Sequence, residues 1–331
     1  MSAIAVLGAG SYGTALAIHL ARRGLDARLW GRDTAQLARC EQDRENREYL
    51  PGCKFPKALT IEPDLVRAVT GAEDILLAVP SHALRELMQR LAPMLKDQGL
   101  ICASKGLEPR TGRLPHEITE AVLGPARRFA IVSGPTFAGE LGRGLPTAVT
   151  AASRNTEYVE RVVQALHGGG FRAYSSDDVV GVEVGGAVKN VLAIGVGIAD
   201  GLGLGANTRA AMITRGLAEI MRLGEALGGH RDTFMGLAGL GDLVLTCTDN
   251  QSRNRRMGLA LAQGKTPEQA TAEIRQVVEG VRVAPEVLRR AQTLKVEMPI
   301  AEQVVQVLAG EVTPIEAVKS LATRPPRAEA G

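Results

Sequence analysis

The sequence predicts an α/β protein in two parts: a doubly wound, Rossmann-type sheet over residues 1–178, then an all-α domain over 179–323. Three observations predict it. Short β-branched runs alternate with helical segments from Ala3 to Ser176. A G-x-G-x-x-G turn lies between the first run and the first helix, and strand-like runs stop near residue 178, where long helical stretches take over. A chain of 331 residues is long enough to build two cores.

The runs are "AIAVLG", "DARLWG", "DILLAVP", "LICASKG", "FAIVSGP", "PTAVTAAS" and "FRAYSS". They are mostly apolar without a polar face, as expected of strands covered by helices on both sides of a parallel sheet. In the helical part, Asn207 is a candidate N-cap for "TRAAMITRGLAEIMRLGEALGG", whose end is marked by Gly228 and Gly229. Thr266 with Pro267 and Gln269, and Thr313 with Pro314 and Glu316, each supply an N-cap, a first-turn proline and a capping box. The tail 324–331, "RPPRAEAG", has no apolar face and is expected to be disordered.

Composition excludes several functions. Lys plus Arg number 39 against 36 Asp plus Glu, and aromatics are 3% of residues, so the basic stripe and stacking platforms of a nucleic-acid binder are missing. Cys40, Cys53, Cys102 and Cys247 are far apart and form no C-x-x-C pair, which argues for reduced thiols in a cytoplasmic protein rather than zinc or disulfides. His19, His82, His116, His167 and His230 show no metal-ligand spacing or triad pattern, so no metal is expected. The first run starts near Met1 without a basic segment before it, so no signal peptide is expected. The apolar stretch from Val184 to Ala206 carries Lys189, Asn190 and Asp200, which argues against stable membrane insertion.

In "AVLGAGSYGTALAIHLARRG", Gly8 permits the tight turn, Gly10 lets backbone approach a pyrophosphate, and Gly13 lets the helix pack on the strand. The helix N-terminus offers free N–H groups and partial positive charge, and Ser11 and Tyr12 lie within reach of a dinucleotide. Arg32 and Asp33, in "RLWGRD", stand about twenty residues on, where ribose is read. A carboxylate there favours NAD and an arginine suits NADP, so the cofactor is NADP or NAD, with dual use open and Arg32 leaning to NADP. Gly264, Lys265 and Thr266 imitate the end of a P-loop, but Gly258 is one residue too far upstream and a helix precedes them.

"EVGGAVKNVLAIGVGIADG" is apolar except where Lys189 and Asn190 interrupt it. Gly181, Gly185, Lys189, Ala193, Gly197 and Gly201 recur every fourth residue, a stripe of minimal side chains with a cation in its middle. Helical glycine costs about 1 kcal/mol relative to alanine, so such a stripe implies close approach by another backbone or by a ligand. An ammonium there must be paired, or must have its pKa lowered toward the range useful to a general acid or base. Lys105 in "ASKGLE" follows a strand, Gly134, Pro135 and Thr136 occupy a second such loop, and Asp242 lies in apolar "GLAGLGDLVLTC". "SRNRRMG" adds Ser252, Arg253, Asn254, Arg255 and Arg256 at a helix start, a natural phosphate receptor or else a solvated basic turn.

These segments, with "YLPG", "AVPSH" and "VVEG", occur in an order that resembles the bacterial NAD(P)-dependent glycerol-3-phosphate dehydrogenase family over nearly the whole chain. The resemblance implies reversible reduction of dihydroxyacetone phosphate to sn-glycerol 3-phosphate for glycerophospholipid synthesis, by a homodimer. It implies Lys189 as proton acceptor in oxidation and donor in reduction, with Lys105 and Asp242 beside it in catalysis. It further implies Lys105, Gly134, Thr136, Lys189, Asp242, Ser252, Arg253 and Asn254 as contacts to a phosphorylated substrate. Ser11, Tyr12, Arg32, Lys105, Ala138, Arg253, Val277 and Glu279 are the implied cofactor contacts. Thr136 stands where many members carry serine, and Asp33 where a second basic residue is frequent. Rival readings are a 3-hydroxyacid or ketopantoate-type dehydrogenase, disfavoured by "SRNR" because it suits phosphate, and a non-catalytic NADPH sensor.

Overall fold

The computed structural model describes residues 3–325. Its sheet contains β1 (Ala3–Leu7), β2 (Asp26–Trp30), β3 (Leu59–Ile61), β4 (Asp74–Leu77), β5 (Gly99–Cys102), β6 (Phe129–Ser133), β7 (Thr147–Ala152) and β8 (Phe171–Ser176), in the order β3-β2-β1-β4-β5-β6-β7-β8. The helices between the strands are α1 (Ser11–Arg22), α2 (Thr34–Asp43), α3 (Leu65–Val69), α4 (Leu84–Leu91), α5 (Pro115–Leu123), α6 (Ala138–Arg143) and α7 (Thr156–Leu166). Side chains alternate across β1: Ile4 and Val6 pack with α1, α2 and α7, while Ala5 and Leu7 pack with α3, α4 and α5. Both faces are covered, which is why the runs lack a polar face. β1 lies between β2 and β4, so connections leave it toward opposite sides and a crevice opens at the carboxyl ends of these strands.

Two features of the sheet depart from the sequence expectation. β3 was not among the runs identified; at three residues, with Thr60 exposed, "LTI" is too short for a period to register. β7 pairs antiparallel with β6 and β8 pairs parallel with β7, so the sheet is mixed rather than wholly parallel. The composition of a doubly covered strand is the same in either direction, and only the short α6 crossover distinguishes this connection.

The remaining helices are α8 (Val179–Gly201), α9 (Gly205–Ala226), α10 (Arg231–Met235), α11 (Asp242–Thr248), α12 (Arg253–Ala262), α13 (Pro267–Ile274), α14 (Glu279–Thr293), α15 (Pro299–Ala309) and α16 (Pro314–Ala322). The capping boxes at Thr266 and Thr313 form as expected. Asn207 does not cap α9: the helix starts at Gly205, with Leu204 at the N-cap position, and Asn207 falls inside its first turn. Gly264 ends a helix with φ +82°, consistent with a stop rather than a phosphate loop. Most of the tail expected to be disordered, residues 326–331, lies outside the described residues; Arg324 donates to Glu297 at 3.3 Å.

α8 is the axis of the helical part, surrounded by α9, α11, α12, α14 and α15. It is long and apolar enough to cross a membrane, but 94% of its apolar window is buried inside the protein. Its glycine stripe admits backbone. A Cβ on Gly197 would lie 2.3 Å from the Arg255 carbonyl oxygen, one on Gly185 2.5 Å from that of Ala238, and one on Gly258 of α12 2.1 Å from that of Ile194. α8 and α12 therefore cross at near backbone contact. Gly258→Ala should separate them and lower stability by about 1–3 kcal/mol, read as a fall in melting temperature. An unchanged melting temperature would contradict this packing.

Candidate active site at the sheet–helix junction

The glycine turn follows β1. Gly8 has φ +128°, its N–H donates to the Trp30 carbonyl at 2.8 Å, and a Cβ there would lie 2.5 Å from the Ala78 carbonyl oxygen. A Cβ on Gly13 would sit 1.9 Å from the Gly8 carbonyl oxygen, so the helix can approach the turn only as glycine. A Cβ on Gly10 would meet nothing within 4 Å, so its surroundings are open. The first intrahelical bond is Thr14 N–H to the Gly10 carbonyl, which leaves the N–H groups of Ser11, Tyr12 and Gly13 without helical acceptors, and no side chain caps them. Open space facing free donors fits a dinucleotide pyrophosphate. At the end of β2, Asp33 is occupied: its Oδ1 accepts from Gln36 N–H at 2.9 Å as the N-cap of α2. Arg32 is exposed beside it.

Beyond the sheet, three charged groups from three elements meet. Lys105 follows β5, Lys189 lies in mid-α8, and Asp242 opens α11. Asp242 Oδ1 accepts from Lys189 Nζ at 2.5 Å, and its Oδ2 from Lys105 Nζ at 2.7 Å. Lys189 Nζ also donates to Thr246 Oγ1 at 2.9 Å, and Thr246 in turn donates to the Asp242 carbonyl at 2.6 Å. Lys105 Nζ has a second acceptor in the Gly134 carbonyl at 3.1 Å. Each ammonium thus has two of its three N–H positions directed by the protein, leaving one for a ligand.

Burial and charge set the protonation states. Burial lowers the Lys189 pKa to about 8; Asp242 opposes the shift and Lys105 assists it. Burial alone would raise Asp242, but Lys105 and Lys189 outweigh it and hold the carboxyl below its ordinary value. Burial also works against the Lys105 charge, yet Asp242 above all leaves this ammonium more firmly protonated than usual. Two ammonium groups therefore share one carboxylate, and Lys189 is the group poised to lose its proton.

Orphaned polar atoms surround this cluster. The Tyr12 hydroxyl and Ser133 Oγ are buried without hydrogen-bond partners among the described residues. The Tyr12 ring lies 5.9 Å from Lys105 Nζ, and a Cβ on Gly186 would approach Ser133 Oγ to 2.7 Å. Burial raises the Tyr12 pKa. Gly134 backs onto β7, Thr136 Oγ1 meets Thr147 Oγ1 at 3.0 Å, and Ala138 opens α6.

The basic run separates into distinct tasks. Arg253, first in α12, is half-buried and has no hydrogen-bond or ion-pair partner among the described residues; burial lowers its pKa, against the pull of Glu279. Ser252 caps α12 by accepting from Arg255 N–H at 3.1 Å. Asn254 donates to Asn190 Oδ1 at 2.8 Å and accepts from Gly280 N–H at 2.9 Å, tying α12 to α8 and α14. Arg255 is buried in structural contacts, to Asp200 at 2.7 Å and the Cys247 carbonyl at 3.0 Å, and Arg256 is exposed. Val277 is half-buried just before α14, and Glu279 accepts from Ser81 Oγ at 3.0 Å, joining α14 to the loop after β4.

The structure thus gathers Tyr12, Lys105, Gly134, Lys189 and Asp242 into one cluster. It sets Arg253 nearby through the Asn190–Asn254 bridge, and leaves Arg32 exposed after β2, outside this cluster. Sequence reasoning missed Thr246 and Ser133. Thr246 is four residues from Asp242 on one helix, a spacing that carries a signal; Ser133 ends a buried strand and carries none.

Comparison with known proteins shows the family. The models for the N-terminus and C-terminus of NAD-dependent glycerol-3-phosphate dehydrogenase match residues 3–159 and 178–319. A glycerol-3-phosphate dehydrogenase [NAD(P)+] of Colwellia psychrerythraea is 57% identical over 92% of this chain and 92% of its own. The crystal structure of glycerol-3-phosphate dehydrogenase from Coxiella burnetii superposes with a TM-score of 0.95 at 45% identity, covering 98% of this chain and 99% of that one. A ketopantoate reductase structure from Ralstonia eutropha, covering 96% of this chain and 100% of its own, reaches 0.60 at 16% identity and shares the fold alone. The chain belongs to the NAD-dependent glycerol-3-phosphate dehydrogenase family and is an NAD(P)-dependent oxidoreductase.

Proposed function

We propose that this glycerol-3-phosphate dehydrogenase uses Lys189 as its proton-transfer group, and the buried Lys189–Asp242–Lys105 cluster is the observation that carries the reading. Bound nicotinamide supplies the hydride acceptor or donor. In oxidation, neutral Lys189 takes the C2 hydroxyl proton of sn-glycerol 3-phosphate as hydride leaves the same carbon. In reduction of dihydroxyacetone phosphate, protonated Lys189 returns that proton to the forming alkoxide. Asp242 and Thr246 hold two positions of Nζ so that the third is aimed at substrate. Lys105, which stays charged, polarises the reacting oxygen, and exclusion of water strengthens both interactions.

Arg253, desolvated and without a hydrogen-bond or ion-pair partner among the described residues, clamps the substrate phosphate, with Thr136 and the Gly134 loop on its other side. Ser252 and Asn254 fix α12 through the bonds they already make, and the Ser252 hydroxyl proton and the second Asn254 amide proton are left to donate to the substrate. The turn Gly8–Gly13 would hold pyrophosphate, Arg32 the adenosine ribose, and Ala138, Val277 and Glu279 the remaining edge. NAD or NADP serves: Asp33 keeps Oδ2 for a ribose hydroxyl while its Oδ1 caps α2, and the exposed Arg32 leans toward NADP. Residues 1–178 form the cofactor domain and 179–323 the substrate domain in this reading. We place the enzyme in the cytoplasm as a homodimer without stable membrane insertion, supplying glycerol phosphate for glycerophospholipid synthesis.

Three measurements test the roles. Since Lys189 must be neutral to accept a proton, kcat/KM for glycerol phosphate oxidation should rise with pH and level off above about 8, whereas reduction should decline above the same point. Profiles of the same slope in both directions would contradict the assignment. Lys189→Ala should retain nucleotide binding and lose turnover by about 10³-fold; near-normal turnover would refute the role. Arg253→Ala should raise KM for dihydroxyacetone phosphate by about 10- to 100-fold, and an unchanged KM would place the phosphate elsewhere.

A further inference from the structure

The segment around "YLPG", Tyr49–Gly52, has no place in the catalytic reading, yet it reaches the cofactor turn from behind. The Ala9 carbonyl accepts two side-chain hydrogen bonds, from Gln36 Nε2 and from Asn46 Nδ2, both at 2.9 Å. Asn46 donates its other proton to Thr14 Oγ1 at 2.9 Å and accepts from Tyr49 N–H at 3.2 Å and Gln36 Nε2 at 3.4 Å. Asn46 and Thr14 are fully buried and Gln36 nearly so. Every polar atom of the Asn46 amide is therefore engaged, and the amide cannot turn over without loss.

The consequence follows from peptide geometry. The Ala9 C=O and Gly10 N–H belong to one planar trans unit and point in opposite directions. Holding the carbonyl inward with two donors fixes the N–H outward, toward the open space around Gly10. A flipped peptide would instead present carbonyl oxygen to phosphate.

We propose that Asn46, assisted by Gln36, is the positioning residue that aims the Gly10 N–H at the cofactor pyrophosphate. The "YLPG" segment is its anchor. Leu50 N–H donates to the Asn46 carbonyl at 2.8 Å, and Gly52 N–H donates to Glu45 Oε1 at 2.7 Å. On the far side, Cys53 and Leu50 press on Gly142 of α6, where a Cβ would lie 2.7 Å from Cys53 Sγ and 3.0 Å from Leu50 Cδ2. The strut thus runs from the phosphate turn to the helix that follows Thr136. Aspartate at position 46 keeps the shape but has no proton to donate and would repel the Ala9 carbonyl.

The test uses the full-length enzyme and whichever of NADPH and NADH has the lower KM. Asn46→Asp should raise nucleotide Kd and KM by about tenfold or more, and Gln36→Leu, with one donor left, by about threefold. Both should keep kcat at saturating nucleotide, and KM for dihydroxyacetone phosphate, within about twofold of the parent. A folded Asn46→Asp enzyme with unchanged nucleotide Kd overturns the proposal, as does a fall in kcat without a change in nucleotide KM. Should Asn46→Asp fail to fold by circular dichroism, Gln36→Leu decides on the same split, and an unchanged nucleotide KM there overturns it.

Discussion

Asp242 holds two ammonium groups at once, and the rest of the molecule is arranged so that it can. One lysine comes from the sheet, after β5, and the other from the middle of the longest buried helix. Two charges of one sign within reach of a single buried carboxylate do not make the fold stable; desolvating ions costs several kcal/mol each, and even well-made buried pairs often only break even. What the arrangement produces is a difference. Lys105 is held charged while Lys189 is brought to about 8, so one ammonium remains a fixed positive charge and the other becomes a proton carrier.

This cluster requires rigid walls, and glycine provides them. α8 can carry Lys189 deep into the protein only because its neighbours come close enough to exclude water. The mutual approach of Gly197 and Gly258 brings α12 against α8, with Asn190 and Asn254 hydrogen-bonded across the same contact. The contact that buries the lysine therefore also sets Arg253 at the edge of the site. A comparable economy operates at the glycine turn, where buried amides behind the loop orient the donors in front of it.

Much of this was legible in the sequence, for physical reasons that differ by element. The glycine turn could be read because its spacing is dictated by sterics, and Lys189 because an ammonium in an apolar glycine-rich helix needs a use. The direction of β7 could not, since strands covered on both faces have the same composition either way, and β3 was too short to show a period. Arg253 and Arg255 are indistinguishable as a basic run. Their tasks separate only when α12 is docked, with Arg255 turned to Asp200 at the end of α8 and Arg253 left without a partner among the described residues. The ion-pair geometry around Asp242 was equally hidden, because its three members lie far apart in the chain. Asp33, placed where ribose is read, also caps α2 through Oδ1, a role that its position in the sequence did not reveal.

The most direct test is a titration of the Lys189 side chain itself, by NMR of the ¹⁵Nζ resonance in uniformly lysine-labelled enzyme, assigned by its absence in Lys189→Arg. The account predicts a midpoint near 8, moving lower when Asp242 is replaced by asparagine. A midpoint at the ordinary lysine value of 10.5, insensitive to Asp242, would contradict it.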